Sequence, residues 1–173
     1  MRKTINNKLN LFEILQNPAV GLIGIHAFIF GYYSVAINKD NLKRKFPPLE
    51  FLFFVLPIVY DKNSMMSFRS SFELYTAMSK DKSITLGLQE RANKMSKQTF
   101  DSINLGFSKK VLIYNQDEKL IELTENFKSK KILIIMKDNS ETLKNIEKAA
   151  FQLGNIFAKK DEKMLQLTLN VRF

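Results

Sequence analysis

The stretch QERANKMSKQTFDSINLGFSKKVLIYNQDEKLIEL, residues 89–123, decides the predicted fold. Apolar residues recur in and just before it at helical spacing, which predicts a helix near 85–95. A second helix is predicted to begin at Ser96, whose hydroxyl can cap free amides, and to have Gly106 in its last turn. The residues predicted to point inward are Leu86, Leu88, Ala92 and Met95 in the first helix, and Thr99, Phe100, Ile103 and Phe107 in the second.

Two short strands follow in the same stretch. Val111–Tyr114 and Lys119–Leu123 are typical strand sequences, and the four polar residues between them favour a hairpin turn. Upstream, one apolar stripe predicts a helix over 64–79. The stripe consists of Phe68, Phe72, Tyr75 and Met78. Because three helices followed by a hairpin is the order of a winged helix, we predict a winged-helix-like middle region with a β-hairpin wing.

Residues 18–37, PAVGLIGIHAFIFGYYSVAI, contain no charged side chain. Asn17 and Pro18 predict a helix over about 18–36, since Asn accepts from first-turn amides and Pro at the first helical position loses no hydrogen bond. The length is about that of a bilayer span. Its histidine, tyrosines and three glycines, and the lack of a Leu-rich run, favour a buried helix of a soluble protein instead. We therefore expect a cytoplasmic protein without a membrane segment.

A second apolar run, Leu49–Tyr60, begins directly after Pro47-Pro48. A proline pair followed by an acidic residue is a helix start signal, and so apolar a run must be buried nearly all round. Pro57 is expected to kink or end the helix. The polar residues 61–64 mark the return to the surface.

The C-terminal region is predicted to contain one strand and one amphipathic helix. KILIIM, Lys131–Met136, is typical of a strand, and Asn139-Ser140-Glu141 marks a helix start. We interpret the apolar stripe of that helix as a packing face that docks on this domain or forms a partner interface. The stripe is Leu143, Ile146, Ala150, Leu153 and Phe157.

These patterns together predict an α+β, mostly helical fold. Apolar N-terminal helices (1–64) and a C-terminal strand and amphipathic helix (131–173) flank the winged-helix-like region (65–130). The chain has 173 residues, of which 45% are hydrophobic. Because this is enough for one core, we expect the three regions to form one compact unit.

The composition excludes several kinds of functional site. The chain has no cysteine, which excludes disulfides, thiolate zinc sites and cysteine nucleophiles. With a single histidine, His26, a His-rich metal centre is impossible, and in an apolar helix we interpret His26 as a hydrogen-bonded core residue. No glycine-rich phosphate-binding motif occurs. We expect no enzyme activity, no cofactor and no metal.

Two fragments match part of a metal-dependent nuclease motif. They are Asp117-x-Lys119 and Asp161-x-Lys163. That chemistry needs a carboxylate on a strand with a second acid beside it, to hold Mg²⁺ near the attacking water. Because Asp117 lies in a predicted turn and Asp161 in a charged stretch after a helix, we interpret both matches as accidental.

The net charge of +10 predicts attraction to nucleic acid or to acidic protein surfaces. The positive charges are spread along the whole chain, without a basic tail. Basic and polar residues of the third helix of the winged-helix-like region are candidate contacts to phosphates and base edges: Lys97, Gln98, Thr99, Lys109 and Lys110. The alternatives are a protein contact or a plain solvated face.

Several local features, taken in order, resemble one family. They are Asn17-Pro18, the helix ending Phe30-Gly31-Tyr32-Tyr33, Leu56-Pro57, Leu153-Gly154 and Val171-Arg172. The chain resembles the middle component of bacterial three-component ABC-ATPase conflict systems, the group that includes the accessory subunit of Lamassu-type defence. The resemblance implies an adaptor that joins an SMC-like or Rad50-like ABC ATPase to an effector, often a nuclease, in defence against phage or plasmids. It carries over no catalytic residues.

Two functions follow as hypotheses. The first is the non-enzymatic adaptor, which would contact DNA mainly through its complex. The second is a stand-alone winged-helix DNA-binding transcriptional regulator. An adaptor would use its apolar N-terminal third or the 139–159 helix against a partner, whereas a regulator would use the N-terminal third for a symmetric dimer.

Overall fold

A computed structural model describes residues 11–38, 44–136 and 140–173. In these residues the chain is mostly helical, with one two-stranded antiparallel sheet, which confirms the predicted fold class. The helices are α1 Leu11–Gln16, α2 Pro18–Ala36, α3 Leu49–Leu52, α4 Val55–Val59, α5 Lys62–Arg69, α6 Leu74–Lys80, α7 Leu88–Lys94, α8 Ser96–Ser108, α9 Ile132–Met136, α10 Glu141–Phe157 and α11 Glu162–Leu169. The strands are β1 Leu112–Asn115 and β2 Leu120–Leu123, followed by a 3₁₀ turn, Glu125–Phe127.

Helix α2 is the centre of the fold. It begins as predicted, with the Asn17 side chain accepting a 2.9 Å hydrogen bond from the Ala19 amide and Pro18 as its first residue. Helices α8, α10 and α4 all pack against it. It is the one helix in the described residues that is long and apolar enough to cross a membrane, and 72% of its most apolar window is buried inside the protein. Because neighbouring elements surround α2, its side chains are apolar on every side of the helix.

Helices α2 and α10 touch backbone to backbone. A Cβ added at Gly31 would overlap the carbonyl oxygen of Phe151, and one added at Gly154 would overlap the carbonyl oxygen of Phe28. Only glycine allows so close an approach. Further along, the Ser34 hydroxyl donates to the Asn155 side chain at 3.2 Å. These two glycines set the distance between the central helix and its largest neighbour.

The second apolar run divides into α3 and α4, and the break comes before Pro57. Pro57 is the third residue of α4. In a continuous helix its ring would clash with the carbonyl of Phe53, four residues earlier. Phe53 and Phe54 lie between the two helices and bond to carbonyls three residues back. The predicted kink is therefore present, displaced by one turn.

The predicted helix over 64–79 is wrong, because the chain leaves the helix after Arg69 and resumes at Leu74. The Ser71 hydroxyl donates to the Ser67 carbonyl at 2.6 Å, an alternative to the helical amide bond. Of the predicted stripe, Phe68 is buried and Met78 is half-buried, while Phe72 and Tyr75 are 71% and 83% exposed.

The segment Lys131–Met136 is also not a strand, since Ile132–Met136 forms helix α9. The Glu147 carboxylate of α10 accepts a 3.2 Å hydrogen bond from the Leu133 amide in the first turn of α9. That bond satisfies an amide that a helix start leaves free. In the first turn of α9, Ile132 and Leu133 are buried and Ile134 is exposed.

The helices before the hairpin differ in detail from their predicted form. Helix α7 begins at Leu88, after Gly87 in a left-handed conformation (φ +61°), which leaves Leu86 exposed. Ser96 does not cap α8, because its hydroxyl donates to the Asn93 carbonyl at 2.8 Å. Among the residues predicted to point inward in α8, Thr99 and Ile103 are buried, Phe107 is half-buried and Phe100 is exposed.

The predicted hairpin is confirmed, with Leu112 opposite Leu123 and Asn115 opposite Leu120. The outer edge of β2 is covered at Pro47, whose carbonyl accepts from the Ile121 amide. The order α6, α7, α8, β1, β2 is that of a winged helix, but α6 packs on α5, and α8 packs chiefly on α2. One cluster of buried hydrophobic residues includes side chains from all three regions of the chain. The winged-helix likeness stays a prediction.

Candidate functional site

The structure separates the residues predicted to contact nucleic acid. Lys97 lies in the first turn of α8, whereas Lys109 and Lys110 follow its last turn. Twelve residues of helix separate Lys97 from Lys109, roughly 18 Å along the axis. The five residues therefore do not form one basic patch.

The three residues at the start of α8 already have partners or are buried. The Lys97 ammonium pairs with Asp101 at 2.7 Å. The Gln98 amide donates to the Leu15 carbonyl of α1 and so ties the two helices together. Thr99 is 0% exposed, so it offers no surface to a nucleic acid.

Lys109, at the other end of α8, lies instead at the edge of an apolar cleft, and Lys110 is the next residue. The cleft encloses about 300 Å³ between α2, α8, the 3₁₀ turn and α9. Its lining residues are Ala19, Leu22, Ile23, Leu105, Lys109, Val111, Phe127 and Ile132. Thr124 holds the 3₁₀ turn beside the end of α8, because its hydroxyl donates to the Lys110 carbonyl at 2.8 Å and its amide to the Val111 carbonyl at 3.1 Å.

The predicted partner stripe of α10 faces this chain's own core. Ile146, Ala150, Leu153 and Phe157 are buried, and Leu143 is half-buried. The Phe157 ring meets Phe28 of α2 edge to face, 5.4 Å between centroids. Of the two dockings that the sequence leaves open, the structure shows the intramolecular one, and only Leu143 of these five residues remains partly exposed.

His26 is a hydrogen-bonded core histidine, as predicted. Its Nε2 lies 3.1 Å from the Phe127 carbonyl oxygen, which can only accept, so Nε2 carries the proton. Its Nδ1 is buried without a hydrogen-bond partner. Burial lowers the pKa of His26 to about 4, against the smaller opposing effect of the Phe127 carbonyl. The ring is therefore neutral near pH 7 and holds the 3₁₀ turn against α2.

The two nuclease-like fragments have local roles. The Asp161 carboxylate caps α11 by accepting from the Met164 amide at 2.8 Å. Asp117 lies in the turn between β1 and β2. Across the described part of the chain, no group of three or more His, Asp and Glu side chains is arranged to hold a metal ion.

The cleft was not predicted from the sequence. It is built from four separate parts of the chain, and its apolar residues also fit the predicted core of each helix. The adjacent lysines after α8 were the one usable signal, and the sequence analysis assigned them to DNA.

An exposed aromatic pair was also missed. Phe72 and Tyr75 flank Glu73, whose carboxylate pairs with Lys159 at 3.1 Å and Lys160 at 3.7 Å at the end of α10. The hydrogen bond from Lys159 is the main cause of a lowered pKa of the Glu73 carboxyl. These ion pairs join the start of α6 to the end of α10, and both aromatic rings beside them are exposed.

Comparison with known proteins identifies one family. A family model of the Middle Component 3 of ABC-three component (ABC-3C) systems matches residues 5–173. No curated protein and no solved structure matches the chain. The match covers nearly all of the sequence, including the segments that form the central helix pair and the cleft. The chain thus belongs to the Middle Component 3 family of ABC-three component systems.

Proposed function

We propose that the chain is a non-enzymatic adaptor that joins the SMC-like ABC ATPase of its system to an effector, most simply a nuclease. The observation that carries this proposal is the family match over residues 5–173, since a component of such a system works with the other components. A cytoplasmic defence system of the Lamassu type, acting against phage or plasmids, is the specific setting that we propose.

The non-enzymatic part of the proposal is supported by the position of the titratable groups. A general base near pH 7 needs an accessible group with a matched pKa. His26 is buried, its pKa lies near 4, and its Nε2 proton is already donated to Phe127. The carboxylate of Asp161 is likewise engaged, as the cap of α11.

The adaptor is favoured over a stand-alone DNA-binding regulator by two observations. The family is defined by membership of a multi-component system. The predicted DNA surface is divided between the two ends of α8, with Thr99 buried and Lys97 paired. Contact with DNA would then come mainly through the assembled complex.

Affinity purification tests the proposal. The chain is tagged and co-expressed with the ATPase and the effector encoded in the same system. We expect both proteins to co-purify with it at defined ratios, and each to bind it when expressed singly. Recovery of neither protein would contradict the adaptor function, and specific duplex binding by the isolated chain would favour the regulator.

A further inference from the structure

The cleft beside α2 is an apolar surface that the described residues leave open. Leu22, Ile23 and Val111 form its floor and are themselves nearly fully buried, so the floor is held rigidly by the core. Leu105 and Phe127 form half-buried walls. A concave apolar surface of this kind marks an interaction site more often than scattered exposed residues do.

The lining argues against a small-molecule ligand. Sites for cofactors and metabolites combine apolar walls with a few polar groups that fix the ligand's orientation. Here Lys109, at the rim, is the one charged side chain among the lining residues, and the others are aliphatic or aromatic. Apolar side chains of another protein need no such polar groups, because their own backbone fixes their orientation.

The rim of the cleft is basic. Lys109 is a lining residue, Lys110 is its neighbour in sequence, and Lys130 precedes the lining residue Ile132 by two positions. All three are exposed, and no carboxylate of the described residues forms an ion pair with them. Two acidic residues of the same segments already form ion pairs with other lysines, Asp101 with Lys97 at 2.7 Å and Glu125 with Lys128 at 2.6 Å.

We infer that this cleft binds an acidic amphipathic segment of a partner subunit, with apolar side chains in the cleft and carboxylates against Lys109, Lys110 and Lys130. The inference rests on the proposed function and names the surface through which it acts. Charge complementarity selects the occupant, because a basic rim attracts an acidic chain and repels a second copy of a protein with net charge +10.

Binding measurements with charge-reversed variants test this inference. The Lys109→Glu/Lys130→Glu variant reverses the rim, and Lys62→Glu/Lys82→Glu is the matched control, with the same change in net charge on exposed lysines outside the cleft. Affinities for the purified ATPase and for the purified effector are measured separately at several salt concentrations. For one partner, we expect the rim variant to weaken binding about tenfold or more and to flatten its salt dependence, while the control changes it little.

A second variant tests an apolar lining residue, Ala19, rather than the basic rim. Ala19 is exposed in the first turn of α2, where an acidic residue is compatible with the helix, so Ala19→Glu should fold. It places a carboxylate where an acidic ligand would lie, and we expect it to weaken binding to the same partner as the rim variant does. Circular dichroism spectra and melting temperatures of all variants serve as the folding control.

Crosslinking identifies the occupant directly. A photoreactive benzoylphenylalanine at position 19 should crosslink to a partner peptide rich in Asp, Glu and large apolar residues. A crosslink to another copy of this chain, or unchanged affinities in the folded rim and Ala19→Glu variants, would overturn the inference while leaving the adaptor proposal intact. If the wild-type chain binds neither protein, the proposed function itself fails.

Discussion

The two halves of α2 meet their neighbours in different ways. At its C-terminal half, Gly31 touches the α10 backbone directly, and Gly154 of α10 does the same in return, which leaves no gap between the helices. At its N-terminal half, Ala19, Leu22 and Ile23 border the open cleft. The same apolar helix is thus closed against α10 where small residues allow backbone contact, and at its other end it borders an open cleft whose floor includes the nearly fully buried Leu22 and Ile23. We interpret the closed half as the structural core and the open half as the partner surface.

The largest effect is expected from a charge in the closed half. Leu153 is completely buried on α10 beside Gly154. The change Leu153→Asp should cost about 4 kcal/mol or more and unfold the chain, since a carboxylate there has no compensating partner. Circular dichroism melting measures the loss. A folded variant that only loses its partners would show that this stripe is an interface and not the core.

A smaller but sharper test adds one methyl group at the helix contact. The change Gly154→Ala should destabilise the fold by about 3 kcal/mol, because the new Cβ meets the backbone of α2 at Phe28 and cannot be relieved by a side-chain rotation. Gly24→Ala is the matched control. The nearest atoms to its Cβ are side-chain carbons of Leu56, Ile146 and Val59 at 3.5–3.8 Å, so the higher helix propensity of Ala should raise stability by up to about 1 kcal/mol.

Urea unfolding gives the free energies of both variants. If Gly154→Ala and Gly24→Ala have equal stability, the two glycines are not in different environments, and the distinction between a backbone contact and an ordinary side-chain contact fails.

The stability of the fold should depend on pH through His26, which lies where the two halves of α2 meet. The pKa of His26 is about 4 in the folded state and near 6.5 when unfolded, so its contribution to stability is fully present above pH 6.5 and is lost as pH falls toward 4. The contribution of His26 to the free energy of unfolding should fall by about 2 kcal/mol between pH 7 and pH 5. His26→Gln, which retains a donor for the Phe127 carbonyl, should abolish that part of the pH dependence.

Burial raises the pKa of the Glu147 carboxyl and acts in the opposite direction, but Glu147 is present in both proteins. The difference between wild-type and His26→Gln unfolding curves therefore isolates the histidine. An identical pH dependence in the two proteins would mean that His26 is not buried in the neutral form.

The smallest effect is expected at the helix break that the sequence analysis missed. Phe72→Ser should change stability by less than about 0.5 kcal/mol, since the ring is mostly exposed. Phe68→Ala, in the same predicted stripe but fully buried, should cost about 3 kcal/mol or more. Similar losses of stability in both variants would mean that Phe72 is buried like Phe68, as the predicted continuous helix requires.

The success of the sequence analysis depended on whether the deciding interactions were local. The start of α2 was predictable because Asn17 and Pro18 act on the adjacent turn, and the hairpin because its turn residues lie between its strands. The helical state of Ile132–Met136 was not, because it depends on the Glu147 carboxylate fourteen residues away in sequence from Leu133. The spacing of apolar residues alone does not distinguish a short apolar helix from a strand.

The candidate site residues, too, were predictable only where local interactions decide their position. His26 was correctly interpreted as a core residue because its own helix is apolar on every side. Thr99 was predicted both to point inward and to contact nucleic acid, and the α10 stripe was left open between this domain and a partner, because local periodicity does not specify where α2 lies. The cleft needs four segments to meet, so no pattern within one segment identifies it.

The central claim, that this chain joins the other two components of its system, is tested most directly by the affinity of the effector for the immobilised ATPase. The measurement is made with no added chain, with a saturating concentration of the wild-type chain, and with the folded Ala19→Glu variant. We predict that the wild-type chain increases the apparent affinity about tenfold or more and that the variant does not. An affinity that is the same in the absence and presence of the wild-type chain would contradict the adaptor account.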